Sequence, residues 1–256
     1  MSETTWKLQE LLECCPENYA TEAEIYFRAV RGKIDRILYV IERLNEETFQ
    51  VPTDSSDFKK KQLETTIYLE TIAYNLHSLP DVLANIIFIF IINPLTFKHS
   101  RLAIKKDRDI NIYVAKDKLN VIYKSGYTTS ISQEKNLEKL IEKIDNLLNS
   151  KQYKYISALV NTIKHRNLID TIYSLEIKSS KVLWMDKNTA RQIESQKINN
   201  QWELIKFTKD GTDYESITID KLINEDRKII IELFYLAGQE INKYCQVTYP
   251  PSRPIT

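Results

Sequence analysis

The sequence predicts a mainly α-helical protein with a small antiparallel β-sheet inserted before the last helix. Only 4 of the 256 residues are glycine and only 7 are proline, a composition that favours long helices with few tight turns. Apolar residues recur at helical spacing over most of the chain, and between about residues 170 and 219 they alternate instead. We therefore expect an up-and-down helical bundle that carries the strands as an insertion.

The composition is that of a folded soluble protein, with 43% hydrophobic and 28% charged residues. The net charge of +1 does not point to a nucleic-acid or membrane partner. The longest apolar run, residues 86–92, is too short to span a bilayer and is expected to be buried. Three cysteines, an odd number, fit reduced thiols, and no signal-peptide pattern is present. We therefore expect a cytoplasmic protein without a membrane partner.

The N-terminal part of the chain predicts a short helix followed by a long one. Residues 1–20 are expected to form an extension in which Trp6 and the leucines after it make a short docking helix. Thr21 and Glu24 have the spacing of a capping box, in which each side chain accepts a hydrogen bond from a free backbone N–H. The first long helix is therefore expected to begin at Thr21 and to run to about Leu44.

The second long helix is expected to begin near Ser56 and to be interrupted at Pro80. Proline lacks a backbone N–H, and its ring displaces the carbonyl of the preceding turn, so Pro80 should kink or break the helix. The helix is expected to resume through Ile92 and to stop at Asn93 and Pro94.

A polar stripe runs along this second helix. His77, Asp81 and Asn85 are spaced four residues apart in an otherwise apolar stretch. A carboxylate one turn from an imidazole can hold it in one tautomer and raise its basicity. The alternative is a polar patch that satisfies backbone groups freed by Pro80.

Residues 95–127 are locally basic. Eight lysines and arginines face three aspartates, which leaves an excess of five positive charges. The apolar residues alternate over part of this segment, but we favour a loop followed by a helix. A charge-rich connector of this kind is usually a solvated surface, and the sharper interpretation is contact with a phosphate backbone.

The central helix is predicted over residues 152–169, after an amphipathic helix over residues 133–149. Its buried face is predicted from apolar residues at helical spacing, which are Ile156, Leu159, Val160 and Ile163. The helix should run out near the tripeptide Lys164-His165-Arg166. At this tripeptide, polar side chains that could bind a ligand or transfer a proton lie on a helix of the predicted core.

The polar cluster occupies one flank of the central helix. Asn161, Lys164 and His165 are three and four positions apart, and Arg166 and Asn167 follow at the helix end. An imidazole, a cation and an amide held together can bind a phosphate, and the imidazole can transfer a proton near neutral pH. Alternatively, the tripeptide only caps the helix, because cations at a C-terminus complement the helix dipole.

Beyond the central helix, alternating residues predict strands at residues 172–177, 182–185, 202–207 and 214–219. A hairpin turn is expected at Lys209-Asp210-Gly211, and a polar linker over residues 186–200. Asp220 is expected to cap the last helix, whose predicted core stripe includes Ile229. Residues 247–256 predict a stiff, proline-rich tail.

Three features together resemble the HEPN superfamily of helical nucleotide-binding proteins, and more narrowly a bacterial branch of HEPN-like proteins. They are the stretch from His77 to Asp81 that leads into the apolar run before Pro94, the stretch from Asn161 to Arg166, and the β insertion before the last helix. The resemblance implies a single HEPN-like domain over residues 21–246, with the β insertion at about 170–219. It also implies a homodimer.

HEPN ribonucleases use an arginine, then a polar residue, then a histidine a few positions later. By resemblance, the arginine would hold the scissile phosphate and the histidine would shuttle the proton of the 2′-hydroxyl without a metal. Arg166 and Asn167 match the first two positions. Residues 170–172 are Asp, Thr and Ile where the histidine is expected, and His165 lies before the arginine. The ribonuclease motif is therefore broken.

Three functions are compatible with these observations. In the first, a HEPN-like protein with a degenerate motif binds RNA, a nucleotide or a partner protein such as an antitoxin through a polar cleft. The binding residues would then be Asn85, Asn161, Lys164 and Asn167. In the second, the protein is a metal-independent endoribonuclease of the toxin or defence type. The catalytic residues would then be His77, Asp81, His165 and Arg166. In the third, the bundle is purely structural.

The sequence gives little support to other chemistries. The four glycines are isolated, so no glycine-rich phosphate loop is predicted. The cysteines and histidines do not have the spacing of a zinc site. We therefore expect neither a cofactor nor a metal.

Overall fold

The computed structural model describes residues 5–15, 17–47, 54–104, 106–166, 171–177, 180–183 and 199–249. The helices are α1 (Leu8–Glu13), α2 (Ala20–Glu47), α3 (Ser55–Ile87), α4 (Asn93–Thr96), α5 (Ile112–Lys124), α6 (Ile131–Asn149), α7 (Lys151–Arg166), α8 (Ile219–Lys221) and α9 (Arg227–Thr248). The strands are β1 (Thr171–Ile177), β2 (Ser180–Leu183), β3 (Asn199–Leu204), β4 (Phe207–Lys209), β5 (Thr212–Tyr214) and β6 (Ile217–Thr218). The protein is mainly helical with a small antiparallel sheet, as predicted.

The chain divides into two compact units. The first unit consists of Met1–Lys33, Ser78–Tyr153 and Ile230–Thr256. The second unit consists of Ile34–His77 and Lys154–Ile229. The predicted domain limits of 21 and 246, with terminal segments on either side, stay a prediction.

The core of the first unit contains the apolar run that was expected to be buried. Phe88–Ile92 forms a π-helical turn between α3 and α4, and all five of its side chains are buried. Helices α5 and α6 contribute further fully buried side chains, which are Ala115, Leu119, Ile122, Leu137, Leu140, Ile144 and Leu147. Burial of each large aliphatic or aromatic side chain stabilises the fold by about 1.5–3 kcal/mol.

The predicted N-terminal docking helix packs on α9 within the first unit. The Trp6 indole N–H donates to Asn242 Oδ1 at 2.9 Å. Its ring meets the Phe234 ring edge to face, with centroids 5.4 Å apart. A Cβ atom at Gly238 would lie 2.2 Å from the Trp6 ring, so only glycine leaves room for this contact.

Two predicted helix caps are wrong. Helix α2 begins at Ala20, directly after a 3₁₀ turn over Glu17–Tyr19, so Thr21 lies inside the helix and not before it. The last helical segment begins at Ile219, and Thr218 Oγ1 accepts a hydrogen bond from the Lys221 N–H at 3.2 Å. Thr218 ends β6 in an extended conformation, so it takes the capping position two residues before Asp220.

The helix predicted to kink or break at Pro80 does not break there, and the stop predicted at Asn93 and Pro94 is wrong. Helix α3 continues through Pro80, where proline costs about 3 kcal/mol. The neighbouring Leu76, Leu79 and Leu83 are fully buried, and at about 1.5–3 kcal/mol each their burial outweighs that cost. Pro94 stands in the first turn of α4, where the missing N–H is not needed.

In the described part of the chain, one helical stretch, Ser55–Thr96, is long and apolar enough to cross a membrane. Its apolar window is 67% buried inside the protein, as in the core helix of a soluble protein. The cytoplasmic location stays a prediction.

The second unit holds the β insertion. One antiparallel sheet has the strand order β2-β1-β3-β6, and β4 and β5 form a separate hairpin. Asp210 and Gly211, with φ of 51° and 77°, make the predicted two-residue turn, because a type I′ turn needs positive φ at both positions. Strand β3 begins inside the predicted linker, and residues 184–198 lie outside the described residues.

The sheet packs on α3 within the second unit. The Trp202 ring is buried and stacks on the Phe58 ring, with centroids 5.7 Å apart. At the start of β1, the Gln62 amide donates to the Thr171 carbonyl at 2.7 Å.

The core stripe of the last helix was largely predicted, and one position is wrong. Ile229 is 38% exposed, whereas Ile230, Phe234, Ala237, Ile241 and Tyr244 are buried as expected. A π-helical turn at Leu222–Asp226 precedes α9. The extra residue in such a turn shifts the buried face relative to a regular 3.6-residue period.

Candidate functional site

In the second unit, α3 and α7 run antiparallel. The Lys164 ammonium lies 6.0 Å from the centre of the Tyr74 ring. Earlier on α3, Gln62 contacts Thr171, which follows α7 in the chain. Residue numbers therefore rise along α3 while they fall along α7. This pairing fixes which side chains of the two helices lie side by side.

The antiparallel pairing places His77 at the level of Asn161. His77 lies three residues after Tyr74, and Asn161 lies three residues before Lys164, so each is about 4.5 Å further along its helix in the same direction. Residues three apart also share a helix face. Both side chains are half-buried. Helix geometry therefore indicates that two polar residues singled out from the sequence lie on neighbouring flanks of one helix pair.

Lys164 is exposed, and no other described residue forms an ion pair with it. Asn161 likewise makes no side-chain hydrogen bond to another described residue. Among the described residues, neither the ammonium nor the amide has a hydrogen-bond or ion-pair partner. The aromatic surface beside them, Tyr74, was missed in the sequence, although it lies one turn before His77 on the same face of α3.

Helix α7 ends at Arg166, so the basic tripeptide occupies its last turn, as predicted. Cations in the last turn are stabilised by the partial negative charge of the helix C-terminus. The side chains of His165 and Arg166, and the whole of Asn167, lie outside the described part of the structure. Their roles stay predictions.

The other two predicted residues, Asp81 and Asn85, lie in the first unit and contact backbone groups. Asp81 Oδ1 accepts a hydrogen bond from the Ile112 N–H at 3.4 Å. Asn85 Nδ2 donates to the Asp81 carbonyl, one helical turn earlier, at 2.8 Å. Both side chains thus contact backbone groups, and neither contact is to the Leu76 carbonyl opposite Pro80. A tautomer-holding role of Asp81 toward His77 stays a prediction.

Asp81 also supports the start of α5. Asn111 caps this helix by accepting hydrogen bonds from the N–H groups of Tyr113 and Val114, both at 3.0 Å. Asp81 accepts a hydrogen bond from the Ile112 N–H, so the first backbone N–H groups of α5 have side-chain acceptors. Burial raises the pKa of the Tyr153 hydroxyl, and the charges of Tyr113 and Asp81 raise it further. Tyr153 therefore stays neutral beside the carboxylate.

The cysteines do not supply a nucleophile. All three are free thiols, and burial raises the pKa of Cys14 and Cys245 and brings that of Cys15 to about 11. Near neutral pH they are protonated, and the thiol is a poor nucleophile compared with the thiolate. Among the described residues, no group of three or more His, Cys, Asp or Glu side chains could hold a metal ion.

Comparison of the chain with family models, with curated proteins and with solved structures finds no match in any of the three. Within the described part of the chain, the α3–α7 flank combines an exposed cation, an amide without a hydrogen-bond partner, a half-buried imidazole and an aromatic ring.

Proposed function

We propose that the protein is a HEPN-like helical bundle that binds a phosphate-bearing ligand, RNA or a nucleotide, on the α3–α7 flank of the second unit. One observation carries the proposal: the Lys164 ammonium lies over the Tyr74 ring, on the flank that holds Asn161 and His77. Loss of the ribonuclease motif makes binding, and not cleavage, the proposed activity.

Each group on this flank suits one part of a nucleotide. A lysine ammonium is a point charge that binds phosphate oxygens by charge-assisted hydrogen bonds. An asparagine amide can donate to a phosphate or to a base edge. An aromatic ring such as that of Tyr74 offers a surface for base stacking, which is worth about 1–3 kcal/mol per base. By resemblance, Arg166 would add a second phosphate contact.

The absence of cleavage is supported by the position that would carry the catalytic histidine. Thr171 is one of the three residues found there, and it is only 1% exposed. Its hydroxyl lies 3.3 Å from the Thr66 hydroxyl, and its carbonyl accepts from Gln62. A side chain at this position packs between β1 and α3, so it is not available to a substrate.

A fluorescent analogue of ATP tests the binding site, because a mononucleotide is too small to depend on an extended surface. We expect Lys164→Ala to weaken binding about tenfold, which corresponds to roughly 1.4 kcal/mol. Lys154→Ala is the matched control, since this lysine is also exposed on α7 and lies about 15 Å from Lys164 along the helix. Equal affinities of the two variants, or no binding by the wild type, contradict the proposal.

Incubation with mixed RNA in EDTA tests whether the protein cleaves. We expect the RNA to stay intact at high protein concentration. Cleavage that disappears in His165→Ala contradicts the proposal and favours the endoribonuclease. If Arg166→Ala lowers the melting temperature by several degrees and no ligand binds, the tripeptide is only a helix cap and the structural alternative holds.

The resemblance also supports a homodimer, and a partner protein such as an antitoxin is compatible with it. Sedimentation velocity distinguishes a monomer of 30.1 kDa from a dimer of twice that mass. We expect the dimer, and a single monomeric species at micromolar concentration removes this part of the proposal.

A further inference from the structure

An exposed aromatic side chain lies within the basic segment of the first unit. Phe97 follows α4 and is 89% exposed, more than any other large hydrophobic side chain among the described residues. Lys98 and Arg101 follow it and are exposed as well. The sequence has no acidic residue between positions 94 and 106.

This short stretch is anchored to α5, to the segment just after it and in the core. The His99 ring stacks on the Tyr127 ring, with centroids 3.6 Å apart and planes 7° apart. Lys118 Nζ donates to the Arg101 carbonyl at 2.6 Å. Leu102 is fully buried. Phe97 is therefore exposed beside an anchored segment, and the segment lies along the C-terminal half of α5.

The contacts define a basic–aromatic surface, made of Phe97, Lys98, His99, Arg101, Lys118 and Tyr127. Three cations share it. The sequence between positions 110 and 127 contains one acidic residue, Asp117, which lies on α5 beside Lys118. Lys116 does not belong to the surface, because it forms an ion pair with Asp145. In the described part of the chain, Lys98 and Arg101 have no ion-pair partner, so their charges are available.

Cations interleaved with aromatic rings suit a single-stranded nucleic acid. The cations follow the phosphate backbone, while rings stack on bases whose faces a duplex would hide. An anionic membrane surface suits this composition less well, since binding there scales with buried apolar area and Phe97 alone supplies it. Charge complementarity and exposed ring area together favour the single strand.

We propose that the basic–aromatic surface binds single-stranded nucleic acid, with Lys98, Arg101 and Lys118 on phosphates and Phe97 stacked on a base. The surface belongs to the first unit, and the proposal does not rest on the α3–α7 flank. The overall net charge of +1 hides it, because its positive residues are balanced by acidic residues elsewhere in the sequence.

Fluorescence anisotropy with a labelled oligouridine of twelve nucleotides tests the proposal. We expect Phe97→Ala to weaken binding about tenfold, in line with the loss of one stacked base. The double variant Lys98→Glu, Arg101→Glu should weaken it more. It should also flatten the plot of log affinity against log salt by about 0.7 for each lost phosphate contact.

Two control variants match the changes in chemistry. Ile131→Ala removes an apolar side chain that is 84% exposed on α6, and Lys135→Glu with Lys139→Glu reverses two exposed charges on the same helix. Both should bind oligouridine within about twofold of the wild type. Thermal melts check that every variant is folded. If the controls lose as much affinity as the test variants, or if the wild type does not bind, the proposal is overturned.

Two further arms separate the alternatives. Vesicles of phosphatidylcholine and phosphatidylserine test the membrane, and binding to vesicles but not to oligouridine overturns the proposal. Because the α3–α7 flank is itself proposed to bind RNA, Lys164→Ala measures its share of oligouridine binding, and Phe97→Ala should weaken oligouridine binding about tenfold in that background too. If Lys164→Ala abolishes oligouridine binding and Phe97→Ala does not, the surface is not a binding site and the α3–α7 flank stands alone.

Discussion

At the scale of single residues, the docking of Trp6 in the first unit depends on Gly238, which has no side chain. Trp6 reaches α9 because Gly238 leaves space for its ring, and Asn242 accepts the indole N–H. The Asn242 amide also donates to the Lys7 carbonyl at 2.8 Å, and Gln239 donates to the Thr5 carbonyl at 2.8 Å. One indole and two backbone carbonyls thus fix the N-terminal segment.

Gly238→Ala should destabilise the protein, because the new methyl group would overlap the Trp6 ring. Overpacking of this kind costs about 1–3 kcal/mol. The free energy of unfolding in urea measures it. Gly32→Ala is the matched control: Gly32 lies in α2, nothing within 4 Å would meet its Cβ, and the change should stabilise the helix by up to about 1 kcal/mol. Similar effects at both glycines contradict this account of Trp6 docking.

The sequence could point to residues of the candidate site but not to their neighbours. Lys164 and Asn161 were found because residues three apart on a helix share a face, which is local information. Tyr74 was missed, since its contact with Lys164 joins positions far apart in the chain. The expected role of Asp81 in orienting a histidine stays a prediction, and its hydrogen bond to the backbone of α5 was not foreseen. That contact depends on how α5 folds back, which spacing within α3 does not encode.

At the scale of elements, long apolar patterns predicted the helices well, and local stop signals did not. Helix α6 and the Asp210-Gly211 hairpin follow from periodicity and turn chemistry alone. The stop signal failed at Pro94, and the helix does not break at Pro80, because buried side chains and a π-helical turn stabilise its continuation. The expected effect of a proline considers only the loss of one backbone hydrogen bond. The burial of several side chains stabilises the helix by more than that loss.

Pro80→Ala should therefore stabilise the protein by about 1–2 kcal/mol, because it restores a helical N–H opposite the Leu76 carbonyl and loses only a small unfolded-state constraint. Pro94→Ala is the comparison, since Pro94 lies in the first turn of α4, where proline is best tolerated, and this change should alter stability less than Pro80→Ala. Equilibrium unfolding measures both. A marked loss of stability in Pro80→Ala would mean that the ring itself is needed for packing.

At the scale of the whole molecule, stability should fall at alkaline pH. Burial raises the pKa of Tyr155 and Tyr249, brings that of Tyr244 to about 12, and brings that of Cys15 to about 11. These groups stay neutral in the folded protein, while in the unfolded chain they ionise from about pH 9 for the thiol and pH 10 for the phenols. Their stabilising contribution is complete below pH 9 and is lost as the pH rises toward 11 and 12.

Thermal melts between pH 7 and 11 measure this loss. The melting temperature should change little through these groups up to pH 9 and then fall steadily. A melting temperature that is constant to pH 11 contradicts the assignment of these side chains as buried and neutral.

The two units carry separate candidate surfaces, the α3–α7 flank in the second and the basic–aromatic surface in the first. The flank was indicated by the polar residues of the central helix. The basic–aromatic surface was indicated only by local charge, because the exposure of Phe97 depends on tertiary packing. A chain with a net charge of +1 can thus hold a basic surface, because the net charge of the whole sequence does not reveal a local excess of positive charge.

Hydrogen exchange with and without ATP tests the central claim, that the α3–α7 flank holds a phosphate-bearing ligand, most directly. A bound phosphate should slow exchange in the last turn of α7, around Lys164, and in α3 around Tyr74 and His77, because a ligand bridging them suppresses fraying at the helix end. Unchanged exchange in both stretches at saturating ATP, or protection confined to residues 97–127, contradicts the claim.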